Sequence, residues 1–317
     1  MRDSRMQSSP ERPLATRSPP PEGLSRVVVA TDFSPRSERA LARAARLPLR
    51  PGARVHLLHV LGPSARGDPL DSQEREVVER ELRAAAHAMA RRARRGGPAV
   101  EVSPVLRQGA PAEEVARCME EVGAELLVMG RPRHPSFLWR QGTAFRPEER
   151  LLRRVSASLL LVAPREATAY RRPLVAVDFS PPARRALELT LLVCPRASQV
   201  GVVHVCDTSY ELVLHQVWSR PEQVLRYREE ARAAARAELE RLLACVGQEA
   251  SRLEPLVLGG SREEGVLAMA RKRQPDLIAL GSRRSMGLAE VLLGTLAGRV
   301  LRETACDVLI AREPLPA

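Results

Sequence analysis

Apolar residues along this chain alternate between two patterns. Short continuous runs, each bounded by Asp, Gly or Pro, lie near 26–31, 54–60, 99–106, 125–130 and 158–163, and again near 173–178, 199–205, 253–258, 276–281 and 307–311. Continuous apolar runs of this length read as strands buried on both faces, as in a parallel sheet. Between them lie longer stretches with apolar residues at helical spacing. One spans roughly 70–95, with Val77, Val78, Leu82, Ala85 and Met89 on one face. Its counterpart spans roughly 221–246, with Val224, Leu225, Ala235, Leu239, Leu242 and Leu243. Strand–helix–strand alternation predicts an α/β fold, a doubly wound parallel sheet with helices on both faces.

The pattern occurs twice because the chain contains its own second copy. RVVVATDFSP at 26–35 returns as RPLVAVDFSP at 172–181, which pairs Asp32 with Asp178. VHLLHV at 55–60 returns as VGVVHV at 200–205, and ELLVMG at 125–130 as DLIALG at 276–281. A repeat this long means duplicated domains rather than a solenoid, whose units are far shorter. The reading divides the chain into a disordered tail at 1–24, one domain at 25–165 and another at 171–313. The tail holds Pro10, Pro13, Pro19, Pro20 and Pro21 among Ser and Arg and has no apolar core like that of a signal peptide.

A length of 317 residues agrees with two domains of about 150 each. No apolar run is long enough for a transmembrane helix. The five cysteines are scattered, with no CxxC pair, which points to a reducing compartment, the cytoplasm, and away from a zinc site. The net charge of +12 suggests nucleic acid at first. However, Lys272 is the only lysine among 50 basic residues, a skew that base composition of the coding sequence explains without a ligand. Aromatic residues make up only 3%, too few for base-stacking platforms. Residues 1–170 carry 29 basic and 20 acidic groups, against 21 and 18 in the remainder. The densest cluster, Arg91, Arg92, Arg94 and Arg95, ends a helical stretch, where cations complement the helix dipole. Nucleic acid is not the expected partner.

In doubly wound sheets, ligands bind beyond the carboxyl ends of the strands, where the strand order reverses. That rule selects Asp32, Val60 and Gly130 in the first copy and Asp178, Val205 and Gly281 in the second. The second copy continues LGSRRSMGLAEVLLGTLAGRVLR over 280–302, a Gly-rich turn followed by Gly294-Thr295 in the next helical run. Small residues there let backbone N–H groups approach a phosphate, with the Thr hydroxyl as an added donor. Tight turns and close helix packing account for the same glycines equally well. His56, His59 and His204 lie in buried-strand patterns and read as core or strand-end residues rather than metal ligands. Ser34 and Ser180 read as helix starts, and Gly259-Gly260-Ser261 as a turn and cap without the lysine of a phosphate loop. Glu113, Glu114, Glu263 and Glu264 open helices and suit their dipoles. No acid–base pair, catalytic residue or metal site is nominated. The segment 206–220, with Tyr210 and Trp218, follows the second strand of its copy as a loop over its own long helix or a lid.

From about residue 25 to 313 the chain resembles a tandem universal stress protein, two UspA-type domains in one polypeptide. The likeness rests on the V-A-[TV]-D-F-S-P opening, the H-V after the second strand, the [DE]-L-[IL]-x-[ML]-G strand, and the Gly-rich segment with its trailing R-V-L-R helix. The resemblance implies a flavodoxin-like or adenine nucleotide alpha-hydrolase-like fold whose copies pair through their fifth strands, here within one chain. It implies a regulatory protein binding ATP or AMP, with Mg²⁺ carried only by the nucleotide's phosphates. In the second domain the implied contacts are Ala176, Val177 and Asp178 beside the adenosine, and Val205 to adenine through its backbone. Leu280 and Gly281 would line base and ribose, and Gly294 and Thr295 would hold phosphates. The family's second motif glycine is Arg284 here, which either blocks the triphosphate or reaches it as a charged donor. Gly287 does not replace it. In the first domain, Pro132, Pro135, Phe137 and Trp139 replace the glycine loop, and Gly142-Thr143 lies one residue too close to Gly130. Asp32, Val60 and Gly130 are therefore expected to form at most a vestigial adenosine cleft. A nucleotide-free scaffold acting through an unidentified protein partner is the competing expectation. Weak ATP hydrolysis and further pairing into a homodimer are left open.

Overall fold

A computed structural model describes residues 23–62, 72–95, 100–131, 154–155, 157–207, 221–282 and 295–313. The first half contains β1 (Leu24–Ala30), α1 (Pro35–Ala44), β2 (Leu49–Leu61), α2 (Ser72–Arg94), β3 (Glu101–Gln108), α3 (Pro111–Val122), β4 (Leu126–Gly130) and β5 (Ser158–Val162). The second half repeats it with β6 (Pro173–Ala176), α4 (Pro181–Val193), β7 (Val200–Asp207), α5 (Pro221–Ala244), β8 (Leu253–Gly260), α6 (Arg262–Arg273), β9 (Leu277–Gly281), α7 (Thr295–Glu303) and β10 (Asp307–Ala311). A short 3₁₀ turn at Gly247–Arg252 leads into β8.

All ten strands join one sheet in the order β3-β2-β1-β4-β5-β10-β9-β6-β7-β8. Each half is parallel and reverses direction of winding once, between β1 and β4 and between β6 and β9. This is the doubly wound arrangement read from the sequence. The halves meet where β5 and β10 pair antiparallel, Leu160 opposite Leu309. Pairing through the fifth strands is thus realised inside one chain. One buried layer unites α1, α2, α4 and α5 with one face of the sheet, and another unites α3, α6 and α7 with the other.

The helices start as the sequence reading expects. Ser34 and Ser180 are the N-caps of α1 and α4, accepting from the backbone N–H of Ser37 and Ala183, with proline in the first turn of each. Ser261 precedes α6, but its hydroxyl donates to Glu263 instead of accepting from a backbone N–H. The long helices are apolar for less of their length than expected. Leu82 and Met89 of α2 are buried, whereas Val77 is 48% exposed; in α5 Ala235, Leu239, Leu242 and Leu243 are buried, whereas Leu225 is 55% exposed. The periodicity continues past the point where each helix leaves the sheet.

All five cysteines are free thiols, and only Cys245 is exposed. Burial raises the pKa of Cys118, Cys194, Cys206 and Cys306, so less of each is thiolate. An excess of a thiol reagent is therefore expected to label the native protein fast at Cys245 alone; rapid modification of a second cysteine would contradict this packing. Among the described residues, no helix is long and apolar enough to cross a membrane.

Candidate functional site

The sequence-selected residues of the second half converge at the crevice where β6 and β9 are neighbours and the strand order reverses. Ala176 ends β6, with Val177 and Asp178 just beyond it; Val205 lies near the end of β7; Leu280 and Gly281 end β9. Thr295 begins α7. Arg284, Gly287 and Gly294 lie outside the described residues, as does 208–220 of the loop after β7.

Local chemistry fixes the turn after β6. Phe179 has φ +60°, a left-handed conformation stabilised on both sides. The Asp178 carboxylate accepts from the Ser180 backbone N–H (3.2 Å) and from the Ser180 hydroxyl. The Phe179 ring lies against His204, with centroids 4.3 Å apart. His204 contacts the Val177 carbonyl oxygen through Nδ1 at 2.9 Å, and the Val177 N–H donates to Val203 at 2.9 Å. The first half repeats this arrangement: Phe33 has φ +57°, its ring lies 4.6 Å from His59, and His59 Nδ1 sits 2.8 Å from the Thr31 carbonyl oxygen. These histidines therefore pin strand ends. Among the described residues, no group of three His, Cys, Asp or Glu is placed to hold a metal ion.

The side chains of Val177, Val205 and Leu280 are buried, and both backbone groups of Val177 are already engaged. The Val177 N–H therefore has no hydrogen left for a ligand, while its carbonyl oxygen keeps a second lone pair. Gly281 is required by packing: a Cβ there would lie 2.4 Å from the Ala183 nitrogen in the first turn of α4. Gly265 plays the same part in α6, where a Cβ would come within 2.8 Å of Val205 Cγ2. The start of α6 is thus pressed against the end of β7.

The Thr295 hydroxyl is also engaged, donating to Glu263 Oε1 at 2.6 Å. That bond is the first cause holding the Glu263 carboxyl below its usual pKa. Arg262 of the same helix reaches toward Asp178, 4.0 Å from Oδ2. The start of α6 thus links Asp178 on one side of the crevice to Thr295 on the other. Pattern reading missed this role of Arg262 and Glu263, because charged residues in a first helical turn carry no sign of a long-range partner.

In the first half, Asp32 accepts from the Ser34 N–H at 3.0 Å, Val60 lies near the end of β2, and Gly130 ends β4 against Arg36 of α1. Asp32 thus caps its own turn. The substituted loop from Pro132 through Thr143 lies outside the described residues.

A model of the universal stress protein family matches residues 23–163 and, a second time, 169–312. A universal stress protein of Synechocystis sp. is 28% identical over 151 residues, which cover 45% of this chain and 98% of that protein. One from Methanocaldococcus jannaschii is 34% identical over 58 residues, 18% of this chain; the match spans about a third (34%) of that relative's length. The crystal structure of a universal stress protein from Archaeoglobus fulgidus matches in fold over 92% of this chain and 97% of its own. The TM-score is 0.63 at 18% identity.

Proposed function

Because this chain belongs to the universal stress protein family, with two such domains in tandem, we propose that it is a regulatory protein of the stress response that binds one adenine nucleotide, ATP or AMP, in the crevice of its second half. The observation that carries this reading is the gathering of Asp178, Val205, Gly281 and Thr295 at the point where the strand order reverses. When bound, the nucleotide supplies phosphate charge, and Mg²⁺ enters on those phosphates. The chain contributes a cleft shaped by Ala176, Val177, Val205 and Leu280, the carboxylate of Asp178 beside the adenosine, and phosphate donors at Gly294 and Thr295. Arg284 is the added cation of this loop. The first half, with Asp32, Val60 and Gly130, acts as a structural partner joined through the common sheet. Binding stabilises the segment 281–295, and a protein partner reads the result. The cytoplasm is the proposed compartment, in keeping with the five free thiols.

Glu263 stands in the way of a phosphate, because its carboxylate already holds the Thr295 hydroxyl. Glu263→Gln is therefore expected to tighten ATP binding roughly tenfold, and Thr295→Ala to weaken it by a similar factor. Titration calorimetry with MgATP checks both. The same contact favours a second reading, a nucleotide-free scaffold whose crevice is closed by its own residues. Mass spectrometry of small molecules released on denaturation separates the two. About one ATP or AMP per chain, with a rise in melting temperature on adding ATP, supports the first reading. No nucleotide and no thermal shift supports the scaffold.

A further inference from the structure

A second cavity lies away from the strand ends, where the two halves meet. It has a volume of about 740 Å³, within the range of small-molecule sites. Its walls are the C-terminal ends of α1, α2 and α4 together with the connection between β5 and β6. The N-terminal ends of α1 and α4 face the nucleotide crevice and its vestigial counterpart. At 1.5 Å per residue, helices of 10 and 13 residues put roughly 15–20 Å between crevice and cavity.

The floor is apolar, including Leu47, Val100 and Val193. The rim carries Arg46, Arg92, Arg95 and Arg196. All four are exposed, and none pairs through its guanidinium with another described residue. This sets them apart from the many arginines of this chain that are paired to carboxylates, such as Arg107 to Glu121 and Arg273 to Glu254. A fifth cavity arginine, Arg43, is neutralised by Asp307. One acid, Glu166, also lines the cavity. Each helix C-terminus contributes about half a negative charge. Four arginines exceed the sum of Glu166 and three helix ends, so the cavity keeps a positive excess. Its guanidiniums come from both halves of the chain, Arg46, Arg92 and Arg95 from the first and Arg196 from the second.

We propose that this cavity binds a small organic anion carrying two or more phosphate groups, its body on the apolar floor and its phosphates on the arginine rim. Guanidiniums match phosphate oxygens in a bidentate manner, and several on one rim favour several phosphates over one. This site is independent of the proposed nucleotide site, and a ligand bridging the halves would stabilise their pairing by mass action.

The test uses the full chain and sodium tripolyphosphate, which has no nucleoside to occupy the crevice. Titration calorimetry at constant ionic strength is expected to show one saturable site per chain. Orthophosphate should bind at least about tenfold more weakly. Arg46→Gln/Arg196→Gln should weaken tripolyphosphate binding roughly a hundredfold, from the loss of two charge-assisted contacts. Thr295→Ala, which removes the proposed phosphate donor of the crevice, should leave that affinity unchanged. Arg226→Gln/Arg236→Gln, an equal charge loss on the exposed face of α5, should also leave it unchanged. The altered residues are all exposed, so an unchanged melting temperature confirms that each variant folds. Absence of saturable binding overturns the proposal. So does equal weakening by the α5 pair, which would mean unspecific charge attraction, or loss of binding in Thr295→Ala, which would place the phosphates in the crevice.

Discussion

Replacing Asp307 with Asn is expected to cost about 3–5 kcal/mol of stability, the penalty for leaving a buried charge without its partner. Asp307 begins β10 and sits at the centre of the junction between the halves. One carboxylate oxygen accepts from the Ala163 N–H at 2.9 Å, just past the end of β5. The other accepts from the Tyr170 hydroxyl at 2.6 Å and lies 2.9 Å from Arg43 Nε. The side chains of Arg43 and Asp307 are only 7% and 5% exposed, so water cannot replace the lost partner. Arg43 also donates to the Thr168 carbonyl and lies 4.0 Å above the Tyr170 ring. Burial and the adjacent Asp307 carboxylate hold the Tyr170 phenol well above its usual pKa, which keeps it a donor. Urea unfolding of Asp307→Asn, Arg43→Met and the double variant measures the coupling. The double variant should be more stable than Asp307→Asn alone, because it removes the stranded cation. A drop below about 1 kcal/mol for Asp307→Asn would show that solvent reaches this junction.

Gly281→Ala is expected to be destabilising by about 3 kcal/mol, the upper end of ordinary overpacking. The added methyl would stand 2.4 Å from the Ala183 nitrogen and 2.6 Å from the Pro182 carbonyl carbon, both backbone atoms in the first turn of α4. Backbone cannot rotate aside as a side chain can, so the whole helix start must move. That start carries the Ser180 cap and the Asp178 turn. The equivalent change in the first half, Gly130→Ala, meets Arg36 Cβ at 3.0 Å and should cost less, about 1 kcal/mol. Thermal unfolding of the two variants gives the comparison directly. Equal effects would contradict the tighter fit of the second half.

The duplicated strands were legible because buried strands need continuous apolar runs, and this chain bounds each with Asp, Gly or Pro. The strand-end positions of Asp32, Val60, Gly130, Asp178, Val205 and Gly281 followed from the same runs. The helix faces were read less well. Val77 and Leu225 fit the apolar spacing, yet they project beyond the sheet and stay exposed. Spacing specifies which residues share a face, but not how far the neighbouring layer extends. Local pattern likewise gave no sign of the partner that the Thr295 hydroxyl finds. Glu263, which occupies the Thr295 hydroxyl, lies on a helix distant in sequence.

The junction between the halves shows the same division. Ser158 and Asp307 are equivalent first residues of the paired strands, and each caps the other strand's exit: Ser158 Oγ accepts from the Arg312 N–H at 3.1 Å, as Asp307 does from Ala163. Only Asp307 goes on to hold Arg43 and Tyr170. By itself the sequence determined a duplicated α/β unit, the positions of its strands along the chain and the family of the whole, because those depend on local apolar pattern and repeated motifs. Tertiary structure decided which arginine is buried against Asp307, which arginines around the inter-domain cavity have no partner among the described residues, and what occupies Thr295. Those outcomes depend on groups far apart in sequence meeting in space, and at Asp307 they meet in a medium of low dielectric, where a buried charge must have its partner.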